Sequence, residues 1–264
     1  MDFIKENREI WFYIIGIIIL FIIFFIGANV FLNDNIITGD DDDEPTVDSN
    51  VPNAYDSPPS FTLDTDEDYY AVVTTNFGEV TVDLYEANAP VNVNNFVFLS
   101  TQGYYDGLSA YRLIPNLLVQ SGSRVVLNEN VADDEFGNPG YTVIDEINWD
   151  SLDFDEEKRE ELGLEGFSSN ANVVSKPIKK YTLVMANAGK SASAGSQYFF
   201  VIGDDADPRV NYLNGRHTAI GEVIEGRDVL DRFRDIDSQE IEGSTVPRPN
   251  EEIVIERVDI KIRD

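Results

Sequence analysis

The run Tyr111-Arg112-Leu113-Ile114-Pro115-Asn116-Leu117-Leu118-Val119-Gln120-Ser121-Gly122 places one permanent cation and one neutral amide at the two ends of an apolar stretch. Residues 117–120 alternate as a strand does, and Pro115-Asn116 before them reads as a turn or bend. Arg112 offers five donors in a fixed fork and no acceptor, which suits it to holding a carbonyl oxygen still. The competing reading of Arg112 is an ordinary ion pair with one of the 49 acidic residues of the chain, since most arginines are solvated or paired. The segments on either side bear on that choice.

Upstream, residues 69–75 and 79–85 are strand-like runs around Asn76-Phe77-Gly78, a hairpin signal because Gly permits the positive φ of the turn. Pro90 stands where a first helical turn begins, and Val93, Phe96, Val97 and Ser100 follow at helical spacing. Downstream, residues 150–164 are rich in Glu, Lys and Leu and predict an exposed helix ending at Gly163 or Gly166. Lys176, Lys179 and Lys180 read as a solvated loop. Residues 181–186 predict a strand that runs into the small-residue loop 187–196. Gln197-Tyr198-Phe199-Phe200-Val201-Ile202 is a strongly apolar strand opened by an amide. A turn closing on the only histidine, His217, is followed by a strand at 219–223, a helix at 226–236 and a closing strand at 252–263. About eight strands and two main helices without a βαβ rhythm predict a mainly β class, a largely antiparallel barrel or sandwich.

Composition narrows the chemistry. The chain has 264 residues, no cysteine, one histidine and a formal charge of −30. Disulfides, thiol nucleophiles and cysteine- or histidine-based metal clusters are excluded. Nucleic acid is not an expected partner, because binding phosphate needs a basic face. The Ser/Gly loop at 190–196 lacks the spacing of a phosphate loop, and the acidic block Asp40-Asp41-Asp42-Asp43-Glu44 lacks that of a calcium loop.

Residues 10–28 are apolar throughout, the length of a helix that crosses a bilayer. Lys5 and Arg8 precede the run and no base follows until Arg112, so the N-terminus is expected in the cytoplasm and the rest outside. The run is longer than a usual export-signal core, so it reads as an uncleaved single-pass anchor in the cell membrane. The expected organisation is a cytoplasmic tip at 1–9, the anchor at 10–32, an acidic disordered linker at 33–68 and a folded domain at 69–264. The linker holds twelve acids and no base, too polar to offset its ordering entropy.

Nine short runs then fall in the order of one family. They are residues 75–80, Ala89-Pro90, Asn95-Phe96, residues 103–107, residues 111–115, residues 119–122, Met185-Ala186-Asn187-Ala188-Gly189, residues 195–199 and Leu213-Asn214-Gly215-Arg216-His217. Together they resemble the cyclophilin family of peptidyl-prolyl cis-trans isomerases, here in a membrane-anchored, prokaryotic-like form. The resemblance implies a closed eight-stranded antiparallel β-barrel capped by two α-helices, with its groove on the outer face. By position it implies Arg112 as the catalytic arginine. It likewise implies a substrate site made by Tyr111, Leu117, Leu118, Gln120, Ala186, Asn187 (through its backbone), Ala188, Gln197, Phe199, Tyr212, Leu213 and His217. Tyr111, Ala110, Leu117 and Tyr212 depart from the family's usual His, Phe, Phe and Trp. Residues around 148–177 form an insertion.

The implied activity is rotation about X–Pro bonds in exported or membrane proteins, assisting their folding. No bond is made or broken, so neither cofactor nor metal is called for. The expected partners are proline-containing polypeptides and, through the N-terminal helix, the membrane; no sequence feature demands an oligomer, so a monomer is expected. Two alternatives stand beside this reading: a tethered proline-peptide-binding module with weak or no turnover, motivated by Leu117 and Tyr111, and a scaffold that binds through the insertion.

Overall fold

The computed structural model describes residues 55–124, 137–241 and 244–263. The apolar run at 10–28 and the acidic block at 40–44 lie outside them. Among the described residues no helix is long and apolar enough to cross a membrane.

The elements run β1 Tyr69–Thr75, β2 Gly78–Leu84, α1 Pro90–Thr101, β3 Leu108–Ser109, β4 Arg112–Ile114, β5 Leu118–Ser121 and α2 Glu156–Leu164. They continue with β6 Thr182–Met185, β7 Tyr198–Val201, α3 Pro208–Leu213, β8 Ala219–Glu225, α4 Arg227–Arg234, β9 Ser238–Gln239, β10 Arg248–Pro249 and β11 Val254–Ile262. Nine strands form one curled sheet in the order β3-β11-β1-β2-β8-β6-β7-β5-β4. Every pairing in it is antiparallel. The predicted hairpin is β1–β2, where Thr75 Oγ1 donates to the Gly78 carbonyl and pins the turn.

The expected closed eight-stranded barrel is corrected on two counts. The main sheet has nine strands, with β9 and β10 paired apart from it, and its ladder stays open with β3 and β4 at its ends. These end strands have two and three residues and are consecutive in the chain. Ala110-Tyr111 lies between them, and the two strands do not pair. One side chain reaches across, Ser121 Oγ of β5 donating to the Ser109 carbonyl of β3 at 3.2 Å.

Strand alternation divides the apolar residues into two cores. Leu113, Val119, Leu183, Met185, Tyr198 and Phe200 face inward, joined by Val93, Phe96 and Leu99 of α1 and by Val229, Leu230 and Phe233 of α4. Leu118, Val184, Phe199 and Val201 face outward and pack with Val210 and Leu213 of α3. Aromatic rings fill the inner core edge to face: Tyr198 meets Phe96 and Tyr105 at 90°, the arrangement the ring quadrupoles favour.

Three further expectations are revised. Residues 55–64, read as part of the spacer, dock on α1: Asn94 Oδ1 accepts from the Thr62 and Leu63 amides, and the Tyr55 ring meets Phe98. A count of acids over the whole of 33–68 hid these anchors. The predicted exposed helix is α2, but its Leu162 is fully buried. It packs with Ile147, Trp149 and Phe167 in a third, small core. Of the three lysines taken as a solvated loop, Lys180 is paired with Asp204 and Asp231, and Lys176 lies over the Tyr85 ring.

Gly226 opens α4 with φ +80°, and a Cβ there would overlap the Glu79 carbonyl oxygen on β2. Gly226→Ala is therefore expected to cost about 2–4 kcal/mol, through backbone strain and a backbone clash together. The urea midpoint should fall with the slope unchanged; a midpoint within error of the parent would show that α4 does not approach β2 this closely.

Candidate active site

The residues of the opening stretch meet those of β7 because of register. Arg112 on β4 is directly opposite Gln120 on β5, Gln120 opposite Phe199 on β7, and Phe199 opposite Val184 on β6. One row of four side chains thus crosses four strands on the outer face. Cross-strand neighbours lie about 5 Å apart at Cβ, close enough for the Arg112 Nη1 to donate to Gln120 Oε1 at 3.0 Å.

That bond orients the rest. With its oxygen taken, Gln120 uses Nε2 to donate to the Tyr111 hydroxyl and to Gln197 Oε1. Tyr111 donates its own proton to Gln197 Oε1. The Gln197 amide nitrogen then donates to the Gly137 carbonyl at 2.8 Å. Tyr111 is nearly fully buried and lines neither of the two recesses described below. Its hydroxyl instead ties Gln120 to Gln197.

Arg112 makes no ion pair with a carboxylate among the described residues, and its Nε is buried with no hydrogen-bond partner. Leaving a buried donor unmet costs about 1–3 kcal/mol. In a chain this acidic, a guanidinium without a carboxylate is the opposite of the ordinary reading.

Beside the guanidinium lies an apolar recess of about 500 Å³ lined by Leu117, Leu118, Phe199, Leu213, Ala186 and His217, with Asn187 and Tyr212 at its margin. Leu117 precedes β5, in a turn where its amide donates to Ile114 O and Asn116 takes φ +56°. Leu213 and Tyr212 come from α3, whose start is set by the Asp207 side chain accepting from the Arg209 amide. Ala188 and Gln197 line a neighbouring recess of about 330 Å³ that shares Ala186 and Asn187 with the first. The Asn187 side chain is occupied: it donates to Arg216 O and accepts from the Gly189 amide.

The sequence reading missed Ile114, Pro208 and Arg209, which line the first recess, and Tyr141 and Thr142, which line the second. Asp207-Pro208, a cap followed by proline at the first helical position, is the local signal that would have found α3.

His217 packs edge-on against Phe199, with ring centroids 5.3 Å apart, and its Nδ1 lies 3.2 Å from the Met185 carbonyl. A carbonyl only accepts, so Nδ1 carries the proton and Nε2 is an acceptor. Burial, the largest effect, lowers its pKa to about 4; the Met185 contact, next in size, opposes it, and the Arg112 and Arg216 charges add to the lowering. His217 is thus neutral at pH 7. The chain has one histidine, so its imidazole signals are unambiguous in an NMR titration, and the midpoint is expected near 4. Between the unfolded value of 6.5 and about 4, the unfolded chain binds the extra proton and the folded one does not. The stability is therefore complete above 6.5 and falls as the pH drops through that window. A midpoint near 6.5 would mean the ring is solvated.

With this geometry in hand, comparison with known proteins gives one family. Residues 70–260 match the family model described as "Cyclophilin type peptidyl-prolyl cis-trans isomerase/CLD". A "Peptidyl-prolyl cis-trans isomerase-like 2" from Cryptococcus neoformans is 31% identical over 191 residues, 72% of this chain and 27% of that protein. The chain thus spans about a quarter of the length of that curated relative. A "Peptidyl-prolyl cis-trans isomerase B" from Streptomyces anulatus is 29% identical over 75% of this chain and 99% of its own length. Among solved structures, a cyclophilin-type peptidyl-prolyl cis-trans isomerase of Cryptosporidium parvum, crystallised in the presence of the dipeptide Ala-Pro, superposes with a TM-score of 0.52. It is 22% identical, covering 74% of this chain and 99% of that one, which speaks for the fold.

Proposed function

This chain belongs to the cyclophilin-type peptidyl-prolyl cis-trans isomerase family, and on that premise we propose that it accelerates rotation about X–Pro bonds in polypeptides. The observation that carries the reading is Arg112: half-buried, without a carboxylate ion pair among the described residues, and lining an apolar recess. The X–Pro amide resists rotation by about 18–20 kcal/mol because of its partial double bond. The enzyme has to bind the twisted amide more tightly than either planar form.

In this reading Leu117, Leu118, Phe199 and Leu213 grip the proline ring. The Arg112 guanidinium holds the preceding carbonyl and donates toward the prolyl nitrogen, whose lone pair is released on twisting. Gln120 holds the guanidinium in place, and is itself held by Tyr111 and Gln197. An acceleration of about 10⁴ corresponds to roughly 5–6 kcal/mol of differential binding. A charge-assisted contact aimed at the twisted state and a fitted recess supply interactions of that order. No cofactor or metal takes part.

The apolar run at residues 10–28, with Lys5 and Arg8 before it, supports a membrane-anchored form with the folded domain outside the cytoplasm, acting on exported or membrane proteins. The full chain should then stay in the membrane pellet through an alkaline wash; its release as a shortened soluble product would overturn the anchor.

The isomerase itself is tested by NMR exchange spectroscopy on a short X–Pro peptide. Fast cis–trans exchange at substoichiometric protein is expected. Peptide shifts at Phe199 and Gln120 without faster exchange would reduce the protein to a binding module.

A further inference from the structure

The inserted segment at 148–177 touches the recess from behind, with Arg216 at the centre of the contact. Arg216, three residues on from the end of α3, is 2% exposed and the largest fully buried side chain among the described residues. Its Nε donates to Glu165 Oε2 at 2.7 Å. Its Nη2 donates to Glu165 Oε1 and to Glu161 Oε1, each at 2.8 Å. Its Nη1 donates to the Tyr212 carbonyl at 2.9 Å. The guanidinium carbon sits 3.8 Å from the centre of the Tyr212 ring. All of these partners belong either to α2 and its C-terminal cap or to the wall of the recess. The wall meets the insertion a second time at Gly215, where a Cβ would come within 2.7 Å of Phe154 and Leu162 atoms.

A buried charge is costly unless it is paired and its hydrogen bonds are filled. Glu161 and Glu165 meet both needs, and the Arg216 guanidinium holds the Glu165 carboxyl below the usual range. A planar, bidentate fork also fixes direction, which a lysine in its place would not. The clamp therefore does more than neutralise a charge. It sets where Tyr212 stands, and Tyr212 is more than half exposed at the margin of the recess.

Resting on the isomerase reading above, we propose that Glu161, Glu165 and Arg216 are positioning residues, through which the insertion holds Tyr212 as a specificity-determining contact for the peptide residue flanking the proline. The insertion then sets which peptides are held, and Arg112 sets how fast the held bond turns. An aromatic ring at the margin favours an apolar or aromatic flanking residue over glycine.

The test is a mutant cycle on the full chain, read as KM, kcat and peptide Kd for two peptides carrying Phe or Gly beside the proline. Tyr212→Ala should raise KM for the Phe peptide about tenfold and that for the Gly peptide much less. Glu161→Gln with Glu165→Gln should do the same, with kcat for bound peptide falling by less than about twofold. Adding Tyr212→Ala to that pair should raise KM no further, because both routes remove one contact; a merely structural role predicts additive losses. Should the double variant fail to fold, Glu161→Gln alone, which leaves the Glu165 fork intact, carries the same non-additivity test. Additive effects, or equal effects on both peptides, overturn the proposal. A parent protein that neither speeds exchange nor binds peptide overturns the isomerase reading instead, and the proposal with it.

Discussion

Arg112→Ala is expected to lower kcat/KM for an X–Pro peptide by about 10²–10³, the size of losing one donor aimed at a transition state. The loss should fall on kcat more than on peptide Kd, because the apolar recess that grips the ring is untouched. Gln120 Oε1 then loses its donor in a side chain that is only 5% exposed. Some of the effect is therefore stability, on the order of 1–3 kcal/mol. A thermal melt separates that part from the chemistry, since the remaining folded protein should still bind peptide. Arg112→Lys should behave much like the alanine variant: it keeps the charge but loses the fork that reaches Gln120 and substrate together. A kcat/KM within threefold of the parent in both variants would place the chemistry elsewhere.

Phe199→Ala and Phe200→Ala should be alike in stability and opposite in function. Both side chains are almost fully buried, Phe199 in the outer core and Phe200 in the inner one. Each truncation is expected to cost about 3–5 kcal/mol, lost transfer energy plus the cavity left behind. Against a total of about 5–15 kcal/mol, either change brings the protein close to unfolding, so both are best compared at low temperature on the folded fraction. There the Phe199 variant, having lost a wall of the recess and the ring against His217, should bind proline peptide at least about tenfold more weakly. The Phe200 variant should bind within about twofold of the parent, because its ring points to the other side of the sheet. Equal losses in Kd would mean that the outer face is not the binding face.

That contrast also marks how far the sequence could be read. Tyr198-Phe199-Phe200-Val201 is apolar at every position, so a strand buried on both faces was legible. Which face carried a site was not legible in those four residues. The polar ends of the opening stretch helped, because Arg112 and Gln120 flank an apolar run whose turn was predicted within a residue of its place. The nine family-like runs came from local motifs, and most of the residues they singled out line the two recesses. That the Tyr111 hydroxyl bridges Gln120 and Gln197 was not legible, because a motif position does not say which way a hydroxyl points. Residues 55–64 were misread because composition counts acids and overlooks two anchors, Tyr55 and Leu63.

By itself the sequence determined what is local: the strand and helix periods, the β1–β2 turn at Gly78, the lack of thiol or histidine-cluster chemistry, and the alternation that sends Arg112, Gln120 and Phe199 to one side of their strands. Only the tertiary structure decided that β4, β5, β7 and β6 are neighbours in the register that sets those side chains in one row, that the ladder stays open, and that Glu161 and Glu165 clamp an arginine about fifty residues away. The division has a physical reason. Backbone sterics and side-chain period act over a few residues, whereas register and ion-pair choice are settled by which arrangement buries the most apolar surface while leaving the fewest buried charges unmatched.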